Sequence, residues 1–486
     1  MMLQLRDRQV TRAAPTLLEQ LGEALAAEGV VSCQWKGHWK RTRWQSGVGD
    51  VDLLVDPAWV ERLEGALDRL GFKPAVPPPE AYIPGTASWF GYDVGQHTLV
   101  HIHVHVRLIL GGYWTTVYQL PIERAVLESA VPRSPFAVPA PELEFLIFVL
   151  RMVQRYGVPD LVAPWPPSWL GEAQTEFAYL LAQVDRRRLE ARLAELLPTV
   201  DTAFFDACAR SLRPGASPWP RVWLRLSLHR RLRPYAYRPP FALLARRVGR
   251  RLGLLPRARG LRLAHGGTVV ALLGGDGAGK STCVAELSRW LGPQFDVTTA
   301  HLGRPPRSLT TLVIGGLLKV RRALGRALNG GADERGTGGP GLLELLRLVC
   351  TARDRYRLFT TARRFAAAGG IALCERYPTP QNRLLVGPEI PRLLGHGRDT
   401  PLARRLLRAE QWYYRQITVP DAVVVLMVEP ELAVQRKTDE PADYVRARSR
   451  IIWETDWSGT GAHLVDAGRP LPAVLADLKA LIWAEV

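Results

Sequence analysis

Apolar positions in the last part of the chain follow two alternating patterns. Short runs of consecutive apolar and β-branched residues are separated by longer segments in which apolar residues recur every three or four positions. The first pattern predicts buried strands and the second predicts amphipathic helices. Because strands and helices alternate, we expect an α/β domain with a doubly wound parallel sheet and helices on both faces. The predicted strands are Thr268–Leu273, Phe295–Ala300, Ile371–Cys374, Ala422–Val428 and His463–Val465.

The N-terminal part of the chain lacks this regular alternation. Val51–Val55 predicts a strand, and Trp59–Leu70 predicts a helix that ends at Gly71. Thr98–Ile109 alternates apolar and polar positions, which predicts one half-buried strand. We therefore expect a domain of the α+β class. Its first helix is predicted by Leu17, Leu18, Leu21 and Leu25.

The chain has 486 residues, which is more than one hydrophobic core usually accommodates, so two or three domains are expected. The patterns above predict an N-terminal domain over residues 1–135 and an α/β domain over 266–486. Residues 136–217 are mainly helical in pattern and form a helical extension, and residues 218–265 form an arginine-rich linker. Residues 330–340 are glycine-rich, which is typical of a mobile loop.

A glycine-rich segment directly follows the first strand of the α/β domain. Residues 274–281 read G-G-D-G-A-G-K-S, which matches the phosphate-binding loop template of Gly, four residues, Gly, Lys and Ser or Thr. A strand before such a loop and a helix after it favour phosphate binding over a glycine turn that binds nothing, because the helix N-terminus attracts anions. The expected nucleotide-binding residues are Gly274, Asp276, Gly277, Gly279, Lys280, Ser281 and Thr282.

Two side chains of this loop have specific expected roles. We expect Lys280 to be an exposed loop cation that reaches the β and γ phosphates of ATP and contributes to catalysis. We expect Ser281 to place its hydroxyl on Mg²⁺. ATP and Mg²⁺ are therefore the expected cofactors.

Glu375 and Arg376 follow the third predicted strand of the same domain. Ligands of doubly wound sheets bind at the carboxyl ends of the strands. A carboxylate there holds the metal or its water, and an arginine grips a phosphate through paired hydrogen bonds. A surface ion pair is the alternative, and the phosphate loop upstream favours the functional role. We expect both residues to be catalytic, with Glu375 on Mg²⁺ and Arg376 on the substrate.

Residues 266–486 resemble the thymidylate kinase family of P-loop nucleoside monophosphate kinases. The resemblance rests on the phosphate loop, on Glu375-Arg376-Tyr377, on Pro420–Leu426 and on Pro430–Lys437. It implies phosphotransfer from ATP, in which catalysis is mostly positioning and electrostatic stabilisation.

The same resemblance implies roles for further residues. Arg353 looks like the family's substrate arginine in the helix before the third strand, and Tyr377 would stand beside it at the acceptor. Arg436 looks like the first arginine of a basic lid and would act on the transferring phosphoryl. Additional lid charge would come from Lys437, Arg446, Arg448 and Arg450.

The chain also departs from this family. Glu375 stands where the family has Asp, and a Glu-Arg pair at this place is closer to the deoxynucleoside kinases. His301–Pro306 does not match the usual substrate loop, and residues 330–340 are foreign to the family. The resemblance therefore implies phosphotransfer from ATP, but it does not imply that thymidylate is the acceptor. The acceptor is left open among a nucleoside monophosphate, a nucleoside, a sugar and a surface-glycan precursor.

A second motif lies near the N-terminus, where Gln34–His38 is followed by Asp50-Val51-Asp52. This spacing resembles the nucleotidyltransferase superfamily, in particular its uncharacterised bacterial branch, with His38 in place of the usual Ser or Gly. Alternation along a strand puts Asp50 and Asp52 on one face. Two carboxylates on one face are expected to hold a metal such as Mg²⁺.

The nucleotidyltransferases use a third carboxylate on a later strand. The candidate strand at 101–106 contains no acid and instead carries His101, His103 and His105 on one face. Imidazoles suit Zn, Fe or Mn, although a polar strand face is the alternative. The module therefore either retains an active site or keeps only the fold, since function belongs to the site.

The net charge of +18 is concentrated in one segment, because Pro218–His265 contains thirteen arginines and no acid. A basic amphipathic segment can contact an anionic membrane surface or an acidic partner, but a solvated linker is the interpretation we favour. Few aromatic residues interleave and no recognition motif accompanies the arginines, which disfavours nucleic acid as a partner. The arginines include Arg221, Arg225, Arg230, Arg231, Arg246, Arg247, Arg250 and Arg251.

Five scattered cysteines without metal-ligand spacing favour reduced thiols in the cytoplasm. No apolar run reaches the roughly 18 residues of a membrane span, and no signal peptide is recognisable. The expected partners are a nucleotide and a small-molecule acceptor, and a homodimer is left open.

The leading hypothesis is therefore an ATP- and Mg²⁺-dependent kinase of the thymidylate kinase type, fused to a nucleotidyltransferase-like module. A nucleotide-binding regulator is the alternative from a different class. A kinase must turn over with some acceptor, whereas a regulator need only bind the nucleotide.

Overall fold

The contacts of the chain divide it into two compact units, Met1–Ala258 and Arg259–Val486. Both units mix helices with strands, and each contains at least one parallel strand pair, so the mixed helix-and-strand character expected of both is confirmed. The computed structural model describes residues 15–40, 43, 47, 49–110, 117–155, 168–217, 219–237, 245, 249, 260–328, 341–381, 383, 385–394 and 400–486.

The N-terminal unit begins with a helix whose cap is visible in the sequence. Thr16 accepts a hydrogen bond from the backbone N–H of Glu19, and the Glu19 side chain bonds back to Thr16, which forms a capping box. The elements that follow in chain order are α1 (Leu17–Ala27), β1 (Ser32–Lys36), β2 (Asp50–Val55), α2 (Val60–Arg69), β3 (Lys73–Val76), β4 (Thr86–Asp93), β5 (Thr98–His105), β6 (Leu108–Leu110), β7 (Val117–Leu120), α3 (Glu123–Glu128), α4 (Pro141–Arg155), α5 (Ser168–Leu181), α6 (Arg186–Leu196), α7 (Thr202–Ser211), α8 (Trp219–Arg231) and β8 (Ala236–Tyr237).

The main strands of this unit lie in the order β1-β2-β5-β4-β3. Strands β2 and β5 are parallel, and the other neighbouring pairs are antiparallel. In the parallel pair, Asp50 lies opposite His101 and Asp52 lies opposite His103. The prediction of a single strand over Thr98–Ile109 is wrong, because a bend at residues 106–107 separates β5 from β6.

The helical segment at 136–217 shares a hydrophobic core with these strands. Nearly every apolar side chain of α4 is buried, and this core also contains Cys33 and Trp35 of β1, Leu54 of β2 and Phe205 of α7. Burial on all sides is typical of a central helix. The helical segment therefore packs as part of the N-terminal unit.

The C-terminal unit has the predicted alternation of strands and helices. Its elements are β9 (Arg262–Leu263), β10 (Thr268–Gly274), α9 (Lys280–Leu291), β11 (Val297–His301), α10 (Leu309–Leu328), α11 (Leu342–Ala367), β12 (Ile371–Glu375), α12 (Ile390–Leu394), α13 (Pro401–Gln416), β13 (Ala422–Met427), α14 (Pro430–Arg436), α15 (Ala442–Trp453), β14 (His463–Asp466) and α16 (Leu471–Glu485).

Five strands of this unit form a sheet in the order β11-β12-β10-β13-β14, and every neighbouring pair is parallel. All five predicted strands are confirmed, with ends that differ by one or two residues. Strand β10 is central and is buried along nearly its whole length. Because parallel strands end at the same edge, the segments after β10, β12 and β13 meet there.

Some expectations concern parts of the chain outside the described residues. These parts include the glycine-rich segment at 330–340 and most of the linker between 238 and 259, with Arg246, Arg247, Arg250 and Arg251. Across the ranges that are described, no helix combines the length and the apolar character that crossing a membrane requires.

Candidate functional site

The phosphate-loop motif lies between the central strand β10 and helix α9. Gly277 and Gly279 have φ values of 82° and 80°, in the left-handed region that favours glycine. A Cβ atom on Gly277 would lie 2.5 Å from the carbonyl oxygen of Ala433, and one on Gly275 would lie 2.6 Å from Ser449 Oγ. The glycines thus allow α14 and α15 to pack directly on the loop.

Lys280 is the first residue of α9 and is only 6% exposed. Its ammonium donates hydrogen bonds to the carbonyl oxygens of Gly274 (3.0 Å) and Gly275 (2.6 Å). Burial, together with the nearby Arg376 guanidinium, lowers the pKa of Lys280 to about 8, against the opposite effect of Asp276. The expectation of an exposed lysine is therefore wrong, because the packing on the loop encloses the side chain.

Ser281 and Glu375 come together as the strand order requires. Strand β12 lies beside β10, with Glu375 opposite Leu272. The Ser281 hydroxyl donates a hydrogen bond of 2.7 Å to Oε2 of Glu375. A hydroxyl and a carboxylate that share one edge of the sheet are oxygen ligands of the kind that Mg²⁺ prefers.

Asp276, inside the loop, is held by two arginines. Arg376 forms an ion pair with one carboxylate oxygen, and Arg448 Nε lies 2.6 Å from the other. Burial alone would raise the pKa of Asp276, but the charges of Arg376 and Arg448 keep it below its ordinary value. Two guanidinium groups are thereby fixed beside the loop. Arg376 also has a φ of 51°, which is uncommon outside glycine.

Other predicted residues lie elsewhere. Tyr377 is completely buried in the core, where its hydroxyl donates to the Thr418 carbonyl oxygen at 2.8 Å, so the prediction of a substrate contact is wrong for this side chain. Arg436 donates to the carbonyl oxygens of Ala467 (2.7 Å) and Gly468 (3.0 Å) rather than to a loop residue.

The remaining substrate and lid arginines have partners of several kinds. Arg353 donates to Ser308 Oγ at 2.7 Å on the segment before α10. Of the predicted lid arginines, Arg448 lies at the loop, whereas Arg446 pairs with Glu431 and Asp443. The structure thus brings Lys280, Ser281, Glu375, Arg376 and Arg448 together at one edge of the sheet.

A cavity of about 510 Å³ opens beside Ser281 and Glu375. His301, which the sequence argument did not assign, lines it and lies opposite Glu375 in the sheet. Burial lowers the pKa of His301 below its ordinary value. Its position at the end of β11 is the signal that could have indicated it, because β11 ends at the same edge as β10 and β12.

In the N-terminal unit, Asp52 is the centre of a polar cluster. Its Oδ1 lies 2.9 Å from Lys36 Nζ, 3.0 Å from His105 Nε2 and 3.3 Å from His103 Nδ1. Asp50 is more exposed, and its nearest approach to this cluster is 3.9 Å, between Oδ2 and His103 Nδ1. The two aspartates share the strand face as predicted, but only Asp52 is enclosed by other ligand-type groups.

The protonation states in this cluster follow from burial and charge. Burial alone would raise the pKa of Asp52, but Lys36 and the hydrogen bonds from His103 and His105 hold it well below its ordinary range. Burial lowers the pKa of His105 to about 4, and it also lowers the pKa of His101, whose ring stacks on Phe90, to about 4.

Asp50 and Asp52 also line a cavity of about 260 Å³ with both charge signs on its wall. Lys40 lies 2.8 Å from Glu172, and Arg151 lies 3.2 Å from Glu176. His38, which replaces the usual small residue of the motif, is not free, because it lies 3.0 Å from Glu144 and 3.2 Å from Tyr179. The basic lining residues are Lys36, Lys40, Arg43, Arg151 and Arg155.

The described part of the arginine-rich linker is partly structured. Helix α8 covers its start, and Trp219 and Trp223 are exposed. Arg221 is buried and donates to the Ser211 carbonyl oxygen at 2.6 Å. The expectation of a fully solvated linker is therefore wrong at Arg221.

Comparisons with known proteins do not extend these observations. No protein-family model matches the chain, and no curated protein matches it closely enough to count as a relative.

Proposed function

We propose that this protein is an ATP- and Mg²⁺-dependent phosphotransferase of the thymidylate kinase type. One observation carries the proposal, namely a phosphate-loop sequence at the carboxyl end of a central parallel strand, with Ser281 and Glu375 in contact beside it. This is the position at which open α/β sheets bind phosphate ligands.

Each side chain at this edge has a task in such a reaction. Lys280 supplies a positive charge to the β and γ phosphates, and Arg376 and Arg448 supply more beside Asp276. Ser281 and Glu375 would hold Mg²⁺, directly or through its water. When bound, this ion neutralises charge on the phosphate oxygens. The residues of the chain thus position the donor and stabilise the charge that moves during transfer.

The phosphate acceptor is proposed to bind at the same edge of the sheet. The cavity beside Glu375 has Ser281 and His301 on its wall, so it adjoins both proposed metal ligands. Its volume of about 510 Å³ is within the roughly 300–1,000 Å³ of small-molecule sites. A nucleoside monophosphate, a nucleoside, a sugar and a surface-glycan precursor are all acceptors of suitable size.

The test is a screen of purified full-length protein with ATP and Mg²⁺ against these four classes of acceptor. Production of ADP and of a phosphorylated acceptor supports the kinase. Saturable binding of ATP without turnover in any mixture would instead support a nucleotide-binding regulator.

Glu375→Gln should raise the Mg²⁺ concentration needed for half-maximal activity. The neutral amide keeps the shape of the side chain but removes the charge that attracts the cation. We expect a shift of about tenfold, which corresponds to about 1.4 kcal/mol. Glu286→Gln on the same helix as Ser281 is the matched control and should leave the Mg²⁺ dependence unchanged. Equal Mg²⁺ curves for Glu375→Gln and wild type would contradict the metal role.

We also propose that the N-terminal unit has a nucleotidyltransferase-like fold with weak or no transfer activity. The support is Asp50 and Asp52 on a strand parallel to β5, where His103 lies opposite Asp52 in place of an acid. Loss of a third carboxylate weakens the charge that a triphosphate complex needs. Incubation of the full chain with α-labelled ATP should give little labelled protein. Strong labelling that Asp52→Asn abolishes would show an active transferase.

A further inference from the structure

Three ligand-type atoms in the N-terminal unit form a small triangle. Asp52 Oδ1 is 3.0 Å from His105 Nε2 and 3.3 Å from His103 Nδ1, and these two nitrogens are 3.1 Å apart. The three side chains lie on neighbouring parallel strands, where the pairing of Asp52 with His103 fixes their spacing. His103 and His105 share a face because side chains alternate along a strand.

Hydrogen bonding cannot satisfy all three sides of this triangle. An ionised carboxylate oxygen has no proton, and each of these two ring nitrogens in a neutral imidazole has at most one. If both nitrogens carry a proton, their mutual contact is repulsive. If either lacks one, two lone pairs face each other along at least one side. One positive ion at the centre would satisfy all three atoms together.

The dimensions of the triangle match one face of a metal coordination sphere. With metal–ligand bonds of about 2.1 Å, neighbouring ligands lie about 3.0 Å apart at right angles and about 3.4 Å apart in a tetrahedron. The three observed edges are within this interval. These ligand atoms are also the only group of this kind found among the described residues.

We propose that Asp52, His103 and His105 bind a divalent transition metal ion, of the Zn²⁺ class, with two imidazoles and one carboxylate. Imidazole nitrogen suits Zn²⁺, whereas Mg²⁺ favours oxygen ligands. The site thus differs from the paired-carboxylate arrangement of Asp50 and Asp52, because Asp50 stays 3.9 Å from the nearest ring nitrogen and its side chain is 45% exposed.

The surroundings hold the ligands in place and leave part of the coordination sphere open. The Trp35 ring meets His105 edge-on, with ring centres 5.2 Å apart, and restricts its orientation. Lys36 shares the Asp52 oxygen at 2.9 Å. Asp52 also lines the cavity of about 260 Å³, whose wall carries both basic and acidic side chains, so the metal would border an open, polar space.

The proposal is tested on the full chain, stripped of metal with a chelator and kept free of nucleotide. Titration with Co²⁺, Zn²⁺ and Mg²⁺ is followed by calorimetry and by the visible absorption of bound Co²⁺. We expect one tight site for Co²⁺ or Zn²⁺ that a large excess of Mg²⁺ does not displace. A spectrum without sulfur-to-metal charge transfer would place the ion away from the cysteines.

Variants separate this site from its alternatives. His105→Gln and His103→Gln should each weaken Zn²⁺ binding about 100-fold or more, since even outer partners of metal ligands contribute about 10–100-fold. His101→Gln, on the same face but stacked on Phe90, is the matched control and should bind normally. Circular dichroism checks that each variant is folded. If His105→Gln does not fold, His103→Gln provides the test, because His103 is the more exposed of the two residues.

Two results would overturn the proposal. One is unchanged Zn²⁺ affinity in a folded His103→Gln or His105→Gln protein. The other is loss of Zn²⁺ binding in Asp50→Asn, together with displacement of Zn²⁺ from the wild-type protein by Mg²⁺. That result would indicate that the two carboxylates of Asp50 and Asp52 hold the ion instead. Kinase activity does not enter either readout, so failure of the phosphotransferase proposal leaves this test intact.

Discussion

Lys280→Met should lower the phosphotransfer rate constant by about 10²–10³-fold, the size of effect typical for removing one preorganised charge at a transition state. The structure gives the reason, because the Lys280 ammonium is enclosed by the loop between the carbonyl oxygens of Gly274 and Gly275. Methionine keeps the length of the side chain and removes its charge, so kcat should fall while the midpoint of thermal unfolding changes little. Steady-state kinetics with saturating ATP measures the effect.

Lys319→Met, on the exposed face of α10, is the matched control and should behave as wild type. A second readout uses the lowered pKa of Lys280, which is about 8. The protonated amine attracts phosphate, so ATP affinity should fall as the pH rises above 8 in wild type and should show no such fall in Lys280→Met. Full turnover in folded Lys280→Met would rule out the kinase assignment.

Arg376→Ala should raise the KM for the acceptor about tenfold or more and should also lower kcat. The guanidinium is fixed on Asp276 at the edge where the substrate would bind, so its loss removes a preorganised phosphate contact. Tenfold in KM corresponds to about 1.4 kcal/mol, which is modest for a charged hydrogen bond. Initial rates at varied acceptor, once the screen has identified one, separate KM from kcat.

Arg405→Ala is the control for this prediction, because Arg405 is exposed on α13 and has no role in the proposed site. It should change neither constant. If Arg376→Ala also changes neither, the assigned substrate arginine is wrong, and Arg448 becomes the residue to test, since it holds the other oxygen of Asp276.

The loop and its strand could be predicted because the relevant residues are contiguous. The contact between Ser281 and Glu375 could also be anticipated, since both follow strands that end at one edge of a parallel sheet. The position of Tyr377 could not, because the chain turns after β12 and directs this side chain into the core, although its neighbour Arg376 faces the loop. The side chains of two adjacent residues therefore face different parts of the structure.

Long-range packing accounts for the other differences. The Lys280 ammonium is held by the backbone carbonyl oxygens of Gly274 and Gly275, and α14 and α15 pack on the same loop at Gly277 and Gly275. The pairing of Asp276 with Arg448 joins residues 172 positions apart, which periodicity does not reveal. In the N-terminal unit, the pattern placed Asp50 and Asp52 on one face, but only the register with β5 shows that Asp52 meets His103.

The left-handed backbone of Arg376 allows the effect of backbone strain to be measured separately from the effect of losing the guanidinium. Arg376→Gly and Arg376→Ala both lose the guanidinium, but only glycine relieves a conformation that costs other residues about 1–2 kcal/mol. The glycine variant should therefore be the more stable of the two. A mutant library of these two variants, sorted only for folded protein, would enrich glycine over alanine at this position. On the proposed function, the strained backbone is what presents the Arg376 guanidinium to the loop.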